Sequence, residues 1–333
     1  MPRTRVIPVL ACLLALAACS NPSSATDSNP SASASATESA TPTASATPTS
    51  TAKVQDSLDG ITVKGKQLKK PTVTFKTPFV IDKTRVEVLD QGSGYKASAD
   101  STVTVHYYGV DGRTGKSFDE SYTAGTPATF SLAQVITGFK TGLTGQRAGS
   151  RVLIAMPGSD AYDAAGGSSD AGIEVGDTLV FVVDIIDVSV SQPEGKELTP
   201  PAGLPTVTGS AADKPTVTIP SSSAPSSMSA TVLIEGTGTK VAKGDTITAR
   251  YVGYSWKTGK LIDDGFATPT TGALADLIPG WQTGLVGKTV GSRVLLVLPP
   301  DDGFPQGSNN PPVEAGDTVV YVVDILFTTA TAA

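Results

Sequence analysis

The stretch Val135–Pro157, VITGFKTGLTGQRAGSRVLIAMP, decides the reading of this chain because it occurs twice. Its near-copy is Leu277–Pro299, LIPGWQTGLVGKTVGSRVLLVLP. Each copy opens on an aliphatic pair, Val135-Ile136 or Leu277-Ile278, then a glycine and an aromatic, Gly138-Phe139 or Gly280-Trp281. The next apolar residue, Leu143 or Leu285, comes four positions after the aromatic, which puts both on one face of a helix. Glycines then end the helix, and the apolar runs Val152–Met156 and Val294–Leu298 read as buried strands. A helix this short cannot stand alone in water. It has to lie against a sheet.

Outward from this stretch, both copies belong to a longer tandem duplication. Gly60–Asp119 aligns with Leu204–Asp263 at a constant shift of 144 residues. KPTVTF at Lys70–Phe75 meets KPTVTI at Lys214–Ile219, and DSTVTVHYYG at Asp100–Gly109 meets GDTITARYVG at Gly244–Gly253. The shift falls to 142 through the helical stretch and to 140 at Glu174–Ile185 and Glu314–Ile325. The length changes therefore sit in two loops, where insertions cost little.

So long a period means two domains rather than a solenoid. The expected boundaries are 58–190 and 204–328, with a Pro-rich linker at 191–203 and a tail at 329–333. Thr102–Tyr108 alternates, with Val103, Val105 and Tyr107 on one side. Asp111-Gly112 and Thr114-Gly115 mark a hairpin before Ser117–Asp119. Leu179–Ile186 is apolar on both faces and reads as a central strand. The fold class is α+β: in each half, a twisted antiparallel β-sheet wraps one short α-helix.

The chain has 333 residues, 39% of them apolar but only 6% aromatic, with 34 glycines and 24 prolines. A core built from Val, Ile, Leu and Ala and rich in turns follows. The N-terminus reads as an export signal. Arg3 and Arg5 precede an apolar run, Val6–Ala18, too short to span a bilayer comfortably. It ends in LAAC at Leu16–Cys19, which resembles a bacterial lipobox, so residues 1–19 are expected to be a lipoprotein signal with Cys19 the lipidated residue.

Cys12 would leave with that signal, and no disulfide can then form. Loss of Arg3 and Arg5 takes the formal charge from −6 to −8. With no basic patch, nucleic-acid binding is not expected. Ser20–Thr51 is almost wholly Ser, Thr, Ala and Pro, and residues 20–57 read as a disordered tether. Its low-complexity part would span about 30 Å as a flexible coil.

Most catalytic constellations are absent from the sequence. A single histidine, His106, lies on the polar side of its strand, and Arg250 replaces it in the repeat. Ser-His-Asp chemistry and His-metal sites are thereby disfavoured. No cysteine is left for zinc or nucleophilic work, and no glycine-rich phosphate loop sits between a strand and a helix. No cofactor or metal is expected. What remains is an inward-facing set of aromatics around the helix. Phe130, Phe139 and Phe181 taken singly are ordinary core residues. Tyr107 on an inward face, however, needs a hydrogen-bond partner or an opening onto water.

Read together, VHYYG at Val105–Gly109, GKSFD at Gly115–Asp119, VITGF at Val135–Phe139, DAY at Asp160–Tyr162 and GDTLVFVVDI at Gly176–Ile185 resemble FKBP-type peptidyl-prolyl isomerases. The second half repeats the series with ARYVG, GKLID, LIPGW, DGF and GDTVVYVVDI. The lipid-anchored tandem form looks like an actinobacterial type.

The resemblance implies a pocket at Tyr107, Phe118, Asp119, Val135, Ile136, Phe139, Tyr162, Ile173 and Phe181. In the second half it implies Tyr251, Ile262, Asp263, Leu277, Ile278, Trp281, Phe304, Val313 and Tyr321. Both halves depart from the family pattern. The pocket floor, usually Trp, is Phe139 in the first, where Ala128 replaces a wall aromatic. In the second, Ile262 stands for Phe and Phe304 for Tyr. The first half is expected to be the more complete site.

The resemblance also implies prolyl isomerase (rotamase) activity on proline-containing unfolded or exported polypeptides. A macrolide such as tacrolimus is a possible ligand, and the protein would sit on the outer face of the cell membrane. The barrier to X–Pro rotation, roughly 20 kcal/mol, comes from amide resonance. An apolar pocket that strips water from the planar amide lowers it without covalent chemistry. Two other readings stay open: an FKBP-like binding module or chaperone that does not catalyse, and a purely architectural repeat.

Overall fold

The computed structural model describes residues 53–330. The expected signal segment with Cys19, residues 20–52 of the tether and residues 331–333 of the tail lie outside the described residues.

Both halves adopt the same architecture. In the first, β1 (Thr62–Lys64) and β2 (Thr72–Thr74) form a small hairpin. The main sheet contains β3 (Arg85–Asp90), β4 (Thr102–Asp111), β5 (Ser117–Glu120), β6 (Ala128–Ser131), β7 (Arg151–Met156) and β8 (Leu179–Val188). Its order is β3-β7-β8-β4-β5, and β6 pairs with the first part of β4. All these pairings are antiparallel. The strand that is apolar on both faces, β8, lies between β7 and β4, as its composition requires.

The helix α1 (Thr137–Leu143) lies against β7. Two glycines make this possible. A side-chain carbon at Gly138 would come within 2.3 Å of Met156 Sδ, and one at Gly142 within 2.5 Å of Ile154 Cδ1. Phe139 and Leu143, on the same face, have no exposed surface.

In the second half, β9 (Gly195–Glu197) lies within the segment read as a connector and forms the edge of the second sheet, paired with β12 (Ser229–Gly236). Between them, β10 (Thr206–Thr208) and β11 (Thr216–Thr218) form a hairpin matching β1-β2. The sheet continues with β13 (Asp245–Ser255), β14 (Leu261–Asp264), β15 (Thr270–Ala273), β16 (Arg293–Leu298) and β17 (Val319–Ala330). Its order is β9-β12-β16-β17-β13-β14, with β15 also on β13. Helix α2 (Pro279–Leu285) packs on β16. Pro279 sits in its first turn, where the missing N–H costs nothing.

The hairpins cover the face of each sheet away from the helix, over a separate apolar cluster that includes Val110, Leu153 and Val182 in the first half. A buried ion pair fixes them there. Arg151 grips Asp184 with two bonds of 2.7 Å and donates to the carbonyls of Gly65 and Lys69, both in the hairpin turn. Asp184 also accepts from the Leu68 N–H and the Tyr122 hydroxyl. In the second half, Arg293 and Arg250 both bond Asp324, and Arg293 reaches Ser210 O and Ala211 O.

His106 sits on this outer side, half-buried. It stacks on Tyr122 at 4.9 Å and bonds Ser121, with burial holding its pKa below the usual value.

The two halves touch. Tyr95 is buried, and its hydroxyl donates to Glu194 O at 2.7 Å while accepting from Thr237 N–H at 2.8 Å. Val190 N–H donates to Leu326 O, and Glu194 N–H to Gly291 O.

Candidate active site

The second half holds an open apolar cavity of about 280 Å³ between the helix and the concave face of the sheet. Its floor is Trp281, carried on the first turn of α2. The backbone N–H of Trp281 bonds the carbonyl of Ile278, which fixes the aliphatic pair Leu277-Ile278 beside the ring. Strand β13 contributes Tyr251, and β17 contributes Tyr321.

These three aromatics form a box of edge-to-face contacts. Tyr251 lies 5.1 Å from Trp281 at 90°, and Tyr321 lies 5.4 Å from it at 79°. Ring quadrupoles favour this geometry, and it holds the walls upright without filling the space. Phe304 and Pro311 close one side. The indole N–H of Trp281 is buried and has no partner among the described residues.

Two carboxylates, Asp263 and Asp276, line this apolar space. Asp263, on β14, accepts a hydrogen bond from the Tyr321 hydroxyl at 3.2 Å. Burial raises its pKa above the usual carboxylate range, although the Tyr321 bond and the Asp264 backbone N–H pull the other way. Burial likewise raises the phenol of Tyr321, helped by the neighbouring Asp263 charge. The cavity thus offers an apolar seat with two acidic lining groups, Asp263 and Asp276.

The same residue set is arranged differently in the first half. Phe139 replaces Trp281 and has no exposed surface, whereas Trp281 keeps 6%. Phe130 stands edge-on against Phe139 at 5.8 Å, and Phe181 touches it at 4.7 Å. Tyr107 is 1% exposed, and its hydroxyl donates to Asp119 Oδ2 at 2.7 Å. Burial drives that phenol's pKa up, with the Asp119 bond adding to it.

A hollow of about 670 Å³ lies at the rim here, touched by Tyr107, Phe118, Asp119 and Ala128. Tyr162, Ile173 and Phe181 are buried in the core, and Val135 and Ile136 pack against it. The expected residues are therefore gathered in one cluster, with Phe139 covered over.

Of the second-half residues expected from sequence, Tyr251, Asp263, Leu277, Ile278, Trp281, Phe304 and Tyr321 line the cavity. Ile262 and Val313 belong to the core that supports it. Sequence reasoning missed Ile247, Ala249, Thr270, Gly272, Asp276 and Pro311, which also line it. The available signal was register. Gly272 stands 142 residues after Phe130, and a glycine facing a core aromatic across the repeat marks a vacated space.

Comparison with known proteins gives this geometry a family. The model of the FKBP-type peptidyl-prolyl cis-trans isomerase family matches residues 94–186 and again 237–326. The chain is 37% identical over 123 residues to an FK506-binding protein of Streptomyces anulatus, covering 36% of this chain and 98% of that one. It is 37% identical over 106 residues to the outer membrane protein MIP of Legionella longbeachae, covering 31% of this chain and 42% of that one. The crystal structure of FkpA from Escherichia coli matches at 37% identity and a TM-score of 0.29, covering 32% of this chain and 47% of that one. The chain belongs to the FKBP-type peptidyl-prolyl cis-trans isomerases, enzymes that act on proline-containing polypeptides, and carries one family domain in each half.

Proposed function

We propose that this protein is an exported folding catalyst whose working site is the second-domain pocket, and that a lipid on Cys19 holds it at the outer face of the cell membrane. The observation that carries the first part is the cavity over Trp281, walled by Tyr251, Tyr321, Leu277 and Ile278, with Asp263 at its rim. A proline ring seats on the indole. The X–Pro amide, drawn in behind it, leaves water for an apolar surround. The planar, charge-separated amide loses more solvation than the twisted one, so the rotation barrier of about 20 kcal/mol falls. Asp263, beside the rotating carbonyl, biases its orientation. A macrolide such as tacrolimus would compete for the same seat.

The covered floor at Phe139 favours a binding role for the first domain, with its rim hollow at Phe118, Asp119 and Ala128 holding a chain segment without seating the ring. Export and anchoring rest on the N-terminal signal pattern and the LAAC at Leu16–Cys19, followed by a tether that sets the domains off the membrane. The name of the Legionella longbeachae relative, an outer membrane protein, is in keeping with export.

Two experiments test this. Isomerisation of a prolyl peptide by the intact chain should be lost on Asp263→Ala with Trp281→Leu, and largely kept on Asp119→Ala with Phe139→Leu. The opposite pattern would move the working site to the first domain. Metabolic labelling with a palmitate analogue should mark the protein, and Cys19→Ala should abolish the label. An unchanged label would remove the anchor.

A further inference from the structure

The two repeats differ in charge at their outer hairpins. Residues 60–79 hold five lysines, Lys64, Lys66, Lys69, Lys70 and Lys76, and no acidic residue. The corresponding residues 204–223 hold only Lys214, with Asp213 beside it. The chain as a whole is acidic, at −6, so the first hairpin is its local exception. On β1 and β2 the outward positions are Thr62, Lys64, Thr72 and Thr74, all exposed, while Val63 and Val73 pack toward the sheet. Lys66, Lys69 and Lys76 are exposed as well. Of the five lysines, Lys70 alone has an ion-pair partner among the described residues, Glu120 at 3.3 Å.

A second observation sits at the tip of the hairpin. Leu68 is 51% exposed, the most of any large apolar residue described, and lies between Lys66 and Lys69-Lys70. Its backbone is left-handed, with φ 58°, a conformation that leucine adopts only against strain. Asp184 holds it there by accepting from the Leu68 N–H at 2.7 Å. The buried ion pair that fixes the hairpin thus also keeps an aliphatic side chain out in solvent. The repeat has Ala212 at this place, and Thr208 and Ser210 where Lys64 and Lys66 stand. An exposed aliphatic among unpaired lysines suits an anionic bilayer. The aliphatic enters the acyl boundary, and the ammonium groups reach the headgroup phosphates. A soluble acidic polypeptide would use the lysines and leave Leu68 unburied.

We propose that the β1-β2 hairpin of the first domain docks on anionic lipid headgroups, with Leu68 at the acyl boundary. This rests on the reading of export and anchoring, which keeps the hairpin within reach of the membrane. The chain enters the same domain at Val54–Gln55, paired with Val80–Ile81 a few residues beyond the hairpin. The hairpin covers the sheet face away from the helix. Docking therefore leaves the helix side of the first sheet turned to solvent.

The test uses residues 20–333, without signal or lipid, so that binding reports the folded surface and not the anchor. The probes are vesicles of phosphatidylglycerol and phosphatidylcholine in equal parts, vesicles of phosphatidylcholine alone, and free polyglutamate. The chain should sediment with the anionic vesicles, stay off the neutral ones, and release as salt rises. Each lysine at such a surface is worth about fivefold in partition, so Lys64→Gln with Lys66→Gln and Lys69→Gln should lower it about a hundredfold. Lys240→Gln with Lys243→Gln and Lys260→Gln removes the same charge from the second domain and should leave binding unchanged. Leu68→Asn, which tolerates the left-handed backbone, should lower it several-fold.

No binding to anionic vesicles, or equal loss in the two triple variants, overturns the docking surface. Binding of polyglutamate without binding of vesicles assigns the lysines to acidic polypeptides and overturns it too. None of these outcomes touches the anchor, which the palmitate label at Cys19 tests separately.

Discussion

Asp187 shows how a single residue departs from its repeat. It is buried at the junction of the halves, where the second half has Phe327 in the same place. One carboxylate oxygen accepts from the Val188 N–H, and the other has no hydrogen-bond partner among the described residues. Burial raises its pKa above 3.8, against the Thr239 and Val188 bonds that pull it down. The fold therefore disfavours the charged form. Its contribution to stability is full below the ordinary Asp value and is lost as pH rises through the raised value. Asp187→Asn, which keeps the bond to Val188, should melt above the parent at neutral pH, and the gap should close below pH 3.8. A variant that melts lower at neutral pH would contradict this reading. Legibility at this scale followed side-chain chemistry. Trp281, Tyr251, Tyr321 and Asp263 were readable because the motif carries them. Gly272, Ile247 and Ala249 were not, because a glycine in a strand announces nothing until its partner across the repeat is known to be a core phenylalanine.

Among the elements, the helix was readable from its spacing, and the glycines within it prove as necessary as its apolar residues. Gly142→Ala would set a carbon within 2.5–3.0 Å of three atoms of the Ile154 side chain, which is stiff because it is β-branched. Helix propensity would gain about 1 kcal/mol, while overpacking costs about 1–3 kcal/mol. The net expectation is a loss, readable as a lower denaturant midpoint, and a gain in midpoint would mean that α1 rides freely over β7. The outer hairpins were visible in the sequence as the repeated KPTVT, but their purpose was not. The clue was a charge in the same place in each apolar strand: Arg151 and Arg293, Asp184 and Asp324. Such charges must pair with each other or with backbone. Asp184→Ala strands Arg151 at 2% exposure. Breaking a buried pair in this way should cost about 3–5 kcal/mol, and an equilibrium unfolding curve unchanged within about 0.5 kcal/mol would show that the hairpin does not depend on it.

For the whole molecule, the duplication was plain in the sequence, but the docking of its halves was not, since Tyr95 has no counterpart in the repeat, where Thr239 stands. Glycines make room for the ring: a carbon at Gly238 would meet it at 2.9 Å, and one at Gly291 would meet its hydroxyl at 2.0 Å. Tyr95→Phe leaves Thr237 N–H and Glu194 O without this partner and should cost about 1–3 kcal/mol. Calorimetry should then show the two domains unfolding as separate transitions, and a single unshifted transition would mean that the junction holds without that hydroxyl. The proposed seat of catalysis is the second-domain pocket. The most direct measurement is the rate of cis–trans exchange in a prolyl peptide with the intact chain, with Trp281→Leu, and with saturating tacrolimus. The expected result is acceleration by the parent, at least tenfold less by the variant, about 1.4 kcal/mol of barrier lowering lost, and none with the macrolide. Full acceleration by a folded Trp281→Leu protein would contradict it.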